Sequence, residues 1–192
     1  MNQPLSRMHM TSFTRLHKET TGLILVDVQG KLAEQMPEFD GLIQALTQLI
    51  KGAQLLGLPI ITMEQLPEKL GPTRHELRPL LSDAPLSKST FSGMATPTIE
   101  QAIESAQRNQ WLVAGIEAHV CVYQTVMDLL EERYQVHLVT DAIRSRNADN
   151  RRLAVDKMLT MGADVTSVEM ALFELQQQAQ GEVFKQLIQL IK

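Results

Sequence analysis

The sequence predicts an α/β fold: a single doubly wound parallel sheet of about six strands, with helices on both faces. Three observations carry that expectation. Short, continuously apolar runs alternate with longer segments whose apolar residues recur at helical spacing, as strands buried on both faces and their crossover helices do. Single helical segments separate the runs, so each pair of strands reads as a right-handed βαβ unit. The chain is 192 residues long and has no Gly/Ser linker, internal repeat or block of like charge at which to divide it, so one domain spanning 1–192 is expected.

Residues 1–20 read as an N-terminal arm; Arg7 and His9 are the only basic side chains up to Thr14 and no apolar stretch follows them, which is not the pattern of a signal peptide. Gly22 to Val28 is a strand, apolar until its acidic end at Asp27. From Asp40 to Leu56 the residues Leu42, Ile43, Leu46, Leu49, Ile50 and Ala53 fall on one helical face, and Gly57 stops the helix. Pro59 to Met63 is the second strand. The stretch from Glu64 to Ser92 holds four prolines and reads as a loop with a small helix near Leu77 and a short strand near Leu86.

Thr96 or Thr98 caps the next helix, with Pro97 tolerated in its first turn. Gln110 to Ala114 is a buried strand, and a helix from about Val120 to Arg133 follows it. Gln135 to Thr140 is a strand, Asn147 to Met161 a helix stopped by Gly162, and Ala163 to Thr166 the last strand. Ser167 opens a helix through Leu175. The amphipathic segment 182–191 forms a C-terminal helix, within residues 180–192, whose apolar side is a candidate oligomer surface. Met158, Met161 and Met170 read as core residues.

Composition narrows the function. With 22 acidic against 18 basic side chains, a net charge of −4 opposes general nucleic-acid binding. The basic run Arg144, Arg146, Arg151 and Arg152 then reads as a solvated loop and helix face. No stretch approaches the about 18–20 apolar residues that span a bilayer, so no membrane partner is expected. One cysteine allows neither an internal disulfide nor a four-cysteine zinc site, and a cytoplasmic location is expected.

In open parallel sheets ligands collect at the carboxyl ends of strands, where the strand order reverses. Asp27 stands at such an end with Gln29 close behind it. A desolvated carboxylate there either binds something or is held by a cation, or else caps the next turn. Cys121 stands at a strand-to-helix junction, where a helix's positive end lowers a thiol pKa from about 8.5 toward about 3.5–7.5. That reading makes the thiolate the resting species; the plainer alternative is a small buried hydrophobe. Lys31, Lys69, Arg74 and Lys88 are candidates for a cation beside them.

Three segments together resemble a known family. Leu25-Val26-Asp27-Val28-Gln29, Lys88-Ser89-Thr90-Phe91-Ser92 and Gly115-Ile116-Glu117-Ala118-His119-Val120-Cys121-Val122 match, in order, the signature segments of the isochorismatase-like hydrolases. The stretch from Glu64 to Thr73 resembles the subgroup called isochorismatase domain-containing proteins, and the resemblance runs from about Thr21 to Phe173. It implies a Rossmann-like fold with a catalytic Asp27, Lys88 and Cys121. It also implies a non-proline cis peptide at Ile116–Glu117 and an oxyanion hole of the Glu117 and Cys121 backbone N–H groups. Pocket residues would include Gln29, Phe91, Ile116 and His119, with walls from the Leu66–Leu81 loop, and the partner would be a small-molecule substrate; His119, beside Cys121 in the turn, either faces that substrate or makes a structural hydrogen bond. Nicotinamidases in the family hold a metal through an Asp-x-His pair and a further His; Thr62 to Pro67 offers no such pair, so no metal and no cofactor are expected. Relatives commonly form dimers or tetramers, which implies a homo-oligomer.

These roles point to an amidase-type reaction. Asp27 takes the thiol proton, Lys88 keeps Asp27 ionised, and Cys121 attacks a carbonyl or nitrile-like carbon. Isochorismate hydrolysis breaks a vinyl ether and needs acid catalysis, so a thiol fits an amide-type substrate better. Two alternatives remain open: a catalytically idle scaffold of the same fold, and a redox-sensing thiol.

Overall fold

The computed structural model describes residues 15–192. Six strands form one parallel sheet in the order β3-β2-β1-β4-β5-β6. They are β1 (Thr21–Val26), β2 (Ile60–Gln65), β3 (Leu86–Lys88), β4 (Gln110–Ile116), β5 (Gln135–Arg144) and β6 (Asp164–Thr166). All residues of β1 and β4 are buried, which is why these segments read as unbroken apolar runs. Side chains alternate across the sheet with the two-residue period of a strand. Leu23, Leu25, Leu112 and Ala114 enter one core; Ile24, Val26, Trp111 and Val113 enter the other.

Eight α-helices are described: α1 (Gly30–Glu34), α2 (Phe39–Leu55), α3 (Pro67–Leu70), α4 (Pro97–Ser105), α5 (Tyr123–Glu131), α6 (Ala148–Thr160), α7 (Val168–Gln176) and α8 (Glu182–Ile191). Helices α2, α7 and α8 cover the first core; α4, α5 and α6 cover the second. Asn147 caps α6 by accepting from the backbone N–H groups of Asp149 and Asn150, and Ser167 caps α7 by accepting from Met170 N–H. Thr96 precedes α4, but its hydroxyl pairs with Thr90 at 2.9 Å instead of capping the helix.

The chain crosses to β2 and β3 on one side of β1, then returns to β4 on the other. The order therefore reverses between β1 and β4, and Asp27 and the turn holding Cys121 lie at that switch point. Gly115 permits the close approach of these strands. Its φ is +122°, and a Cβ there would sit 2.1 Å from the Val26 carbonyl oxygen.

Several expectations change. Residues 1–14 of the expected arm lie outside the described residues. The rest of it is docked: Leu16 is fully buried and its N–H donates to Glu174 at 3.1 Å. The apolar side of α8 is already used within the chain. Leu187 is buried, and Val183, Leu190 and Ile191 pack on the core that α2 and α7 share, while Phe184 and Ile188 stay partly exposed. Met158 is a core residue, but Met161 and Met170 are exposed. Helices α1 and α3 span five and four residues, too short for a periodic pattern to register.

Candidate active site

Asp27 follows β1 in the left-handed region, φ 51°, with its N–H donating to Met63 O at 3.2 Å. Aspartate tolerates this conformation better than most residues. Its Oδ2 accepts from Lys88 Nζ at 2.7 Å, and both side chains are shut from solvent. Oδ1 is also buried and, among the described residues, has no hydrogen-bond partner. Burial pushes the Asp27 carboxyl above the usual carboxylate range. Lys88 and a hydrogen bond with the Cys121 thiol oppose that shift, and the nearby Glu64 charge adds to it.

Lys88 ends β3. Its ammonium reaches Gln65 Oε1 at 2.6 Å and the Thr90 and Phe91 carbonyls at 3.2 Å each. Of the other candidate cations, Lys31 and Lys69 are exposed, and Arg74 is engaged by Glu34 and Glu76.

Cys121 is a free thiol, 8% exposed, in a π-helical turn over Ala118–Val122 that leads into α5. Burial pushes its pKa up to about 12; the Asp27 charge adds to that and Lys88 opposes it. The expectation of a resting thiolate is thereby reversed. Desolvation and a neighbouring carboxylate outweigh what the N–H groups at a helix start supply. A redox-sensing role loses its premise with it, because that role rested on a low thiol pKa.

The turn that holds Cys121 begins at a cis peptide, Ile116–Glu117. Glu117 is buried, and its carboxylate accepts from Arg146 N–H at 2.9 Å and from Arg146 Nε at 3.0 Å. His119 Nδ1 lies 3.0 Å from Ser145 Oγ. Residues just beyond β5 therefore anchor the turn, and Arg146 does more than the solvated charge its sequence context suggested. His137, in β5, is buried and held below the usual histidine range by that burial, which favours a packed neutral imidazole.

Gln29 is fully buried. Its amide accepts from Gln65 N–H at 2.6 Å and donates to the Gln65 and Gly71 carbonyls. It clamps backbone, and its burial leaves no surface for a ligand. Ile116 is likewise fully buried, whereas Phe91 is 54% exposed at the rim of the Lys88 loop. Glu64 accepts from Thr73 through both its N–H and its hydroxyl at 2.7 Å, closing the 66–73 loop beside the site. A pocket of about 380 Å³ opens on the Lys88 side, lined by Leu66, Pro67, Ser89, Thr90 and Thr96. Among the described residues no three His, Cys, Asp or Glu side chains converge as metal ligands.

Gln65, Glu64, Ser145 and Arg146 were not singled out as site residues. The signal for Gln65 was present, since it ends β2 as Asp27 follows β1 and Lys88 ends β3.

Residues 21–170 match the isochorismatase domain family. Human isochorismatase domain-containing protein 2 is 34% identical over 182 residues, covering 94% of this chain and 87% of that protein. A Caenorhabditis elegans structure described as MAR1 ribonuclease superposes with a TM-score of 0.86 at 34% identity, covering 93% and 92% of the two chains. The Escherichia coli YcaC protein, described as an octameric hydrolase of unknown specificity, superposes with a TM-score of 0.88 at 25% identity, covering 93% and 91%.

Proposed function

The chain belongs to the isochorismatase family, and from that premise we propose that it is a hydrolase that cleaves a small amide-type substrate through a covalent intermediate on Cys121. The observation that supports this reading is the buried Asp27 carboxylate, ion-paired with Lys88 through Oδ2 and hydrogen-bonded with the Cys121 thiol. A buried carboxylate that already accepts from the thiol is suited to take that proton. A carboxyl held above its usual range has a basicity closer to working pH.

In the proposed reaction the Asp27 carboxylate takes the thiol proton as Sγ attacks the carbonyl carbon. The C–S bond forms, and the carbonyl π pair moves onto oxygen. The backbone N–H groups of Glu117 and Cys121 receive that oxyanion. Collapse breaks the C–N bond, and the amine leaves with the proton Asp27 holds. Water then attacks the thioester while Asp27 takes a proton from it; the C–S bond breaks and the proton returns to sulfur. The balance is amide plus water giving acid plus amine. Lys88 keeps Asp27 ionised at the start and stabilises the negative charge as it moves to sulfur.

Phe91 and His119 are proposed as pocket residues, with the pocket beside Lys88 as the entry. The octameric assembly described for E. coli YcaC supports a homo-oligomer, and the single free thiol supports a cytoplasmic location. The net charge of −4 favours a small molecule over nucleic acid as substrate.

Intact-mass spectrometry after exposure to a panel of small amides and nitriles tests the reading. A transient acyl adduct on Cys121 that decays to free enzyme, and is lost in Cys121→Ala, is expected. No adduct across the panel, with any turnover unchanged in Cys121→Ala, moves the protein to the scaffold reading.

A further inference from the structure

Lys88 ends β3, Gln65 ends β2, Asp27 follows β1 and Cys121 follows β4. The sheet order β3-β2-β1-β4 gathers these four at the carboxyl ends of adjacent strands, Gln65 and Lys88 within their strands and Asp27 and Cys121 in the segments just after theirs. The triad chemistry uses three of them. We propose that the fourth, Gln65, is a positioning residue for that chemistry, its side-chain oxygen holding the Lys88 ammonium where it meets Asp27. The inference rests on the proposed function above.

An ammonium has three N–H donors and no acceptor. The two shortest contacts of Lys88 Nζ are Gln65 Oε1 at 2.6 Å and Asp27 Oδ2 at 2.7 Å. The two longer ones go to carbonyls of the loop that follows Lys88 itself, so among the described residues Gln65 and Asp27 make the short contacts that tie the ammonium to neighbouring strands. The Gln65 amide is fixed in one orientation, because its Nε2 donates to Ser89 O at 3.1 Å. Turning it over would set an NH2 against the ammonium and an oxygen against a carbonyl.

The Gln65 backbone is fixed as well. Its N–H donates to Gln29 Oε1 at 2.6 Å and its carbonyl accepts from Gln29 Nε2 at 3.1 Å. Gln65 and Lys88 are register partners on neighbouring parallel strands, about 4.8 Å apart. A neutral amide suits this place. It accepts from the ammonium without competing with Asp27 for its charge, whereas a second carboxylate would compete. The Glu64–Thr73 stretch also gains a role, since it holds the 66–73 loop closed against the residues that fix Gln65.

The test follows the rate of acrylamide addition to Cys121 against pH, read by intact mass, in the full-length protein. Wild-type rate is expected to rise through the first ionisation of the coupled Asp27–Cys121 pair. Gln65→Glu keeps the side-chain shape and is expected to move that midpoint up by about one pH unit, because its carboxylate is a like charge beside Asp27. Gln65→Met removes the acceptor and is expected to lower the neutral-pH rate about tenfold, with the melting temperature reporting whether it folds. If Gln65→Glu keeps the wild-type midpoint within about 0.3 pH unit and a folded Gln65→Met keeps the rate within about twofold, the inference is overturned while the triad stands. A wild-type profile identical to that of Asp27→Asn is a different failure: it overturns the proposed function, and the role of Gln65 with it.

Discussion

Lys88 Nζ lies 2.7 Å from Asp27 Oδ2 inside the protein, and that single ion pair joins the third strand of the chain to the first across the strand between them. Removing one partner of a buried pair leaves an uncompensated charge, which costs about 3–5 kcal/mol, whereas removing both is often nearly neutral. Lys88→Met is therefore expected to lose about 3–5 kcal/mol in urea unfolding at pH 7, and Asp27→Asn/Lys88→Met to recover most of it. The sign with pH follows from Asp27, whose pKa is raised on folding. The folded state binds that proton more tightly than the unfolded state, so the cost falls as pH drops toward the unfolded carboxylate range and protonates Asp27. A Lys88→Met penalty that is the same at pH 7 and in acid would contradict the buried-carboxylate account.

The Cys121 thiol, pushed up to about 12, makes a second prediction at the alkaline end. An ordinary thiol ionises near pH 8.5. Between that value and 12 the folded state keeps a proton the unfolded state has lost, so stability is lost as pH rises through this window. The slope attributable to the thiol is about 1.4 kcal/mol per pH unit. Unfolding of wild type at pH 8, 9 and 10 should show the loss, and Cys121→Ala should lack it. The 240 nm thiolate band should be missing from native protein at pH 9 and present once urea is added. A native thiolate band at neutral pH would restore the activated-thiolate reading.

These two residues also mark how far the sequence was legible. Asp27 and Cys121 stand out because a polar group ends an apolar run at a strand terminus, and six strands in alternation with helices are a property of periodicity that one chain displays. What periodicity cannot display is solvent access. The direction of the thiol shift depends on burial in a core that brings Met63 and Met94, distant in sequence, together with Cys121 and its neighbours Ala118 and Val122. Gln65 and Arg146 escaped for a related reason. Glutamine and arginine are mostly surface residues, and their roles appear only when strand register sets Gln65 beside Lys88 and the end of β5 beside Glu117.

The contact between Arg146 and Glu117 supplies a third prediction. Arg146 is half-exposed, so its side-chain ion pair contributes at most about 1 kcal/mol once solvent screening is allowed for. The buried partner matters more, because removing the Glu117 carboxylate strands the Arg146 backbone N–H. Glu117→Ala is expected to cost about 1–3 kcal/mol and Arg146→Ala under about 1 kcal/mol. Both are expected to slow acrylamide addition to Cys121, because the turn loses an anchor. Arg146→Ala is the sharper case, since its effect on rate should exceed its effect on stability. Equal small effects on both would make the contact a surface ion pair and nothing more.

Gly115 gives the last prediction, and it separates the site's geometry from its chemistry. This glycine lies one residue before Ile116, with φ +122° and Val26 O only 2.1 Å from the place a Cβ would take. The obstacle is main chain of the neighbouring strand, which ends at the residue before Asp27, so it cannot swing aside as a flexible side chain would. An L-residue forced to positive φ costs about 1–2 kcal/mol, and overpacking a tight interior adds about 1–3 kcal/mol. Gly115→Ala is therefore expected to lose about 3 kcal/mol or more in urea unfolding. The strain is set between β1 and β4, the two strands that bring Asp27 and Cys121 together. A folded fraction at low temperature should accordingly add acrylamide more slowly than a Gly162→Ala control. Gly162 also has positive φ, but a Cβ there meets nothing within 4 Å, so the control carries the conformational strain without the clash. If the two variants react alike, the β1–β4 approach does not set the distance between base and nucleophile.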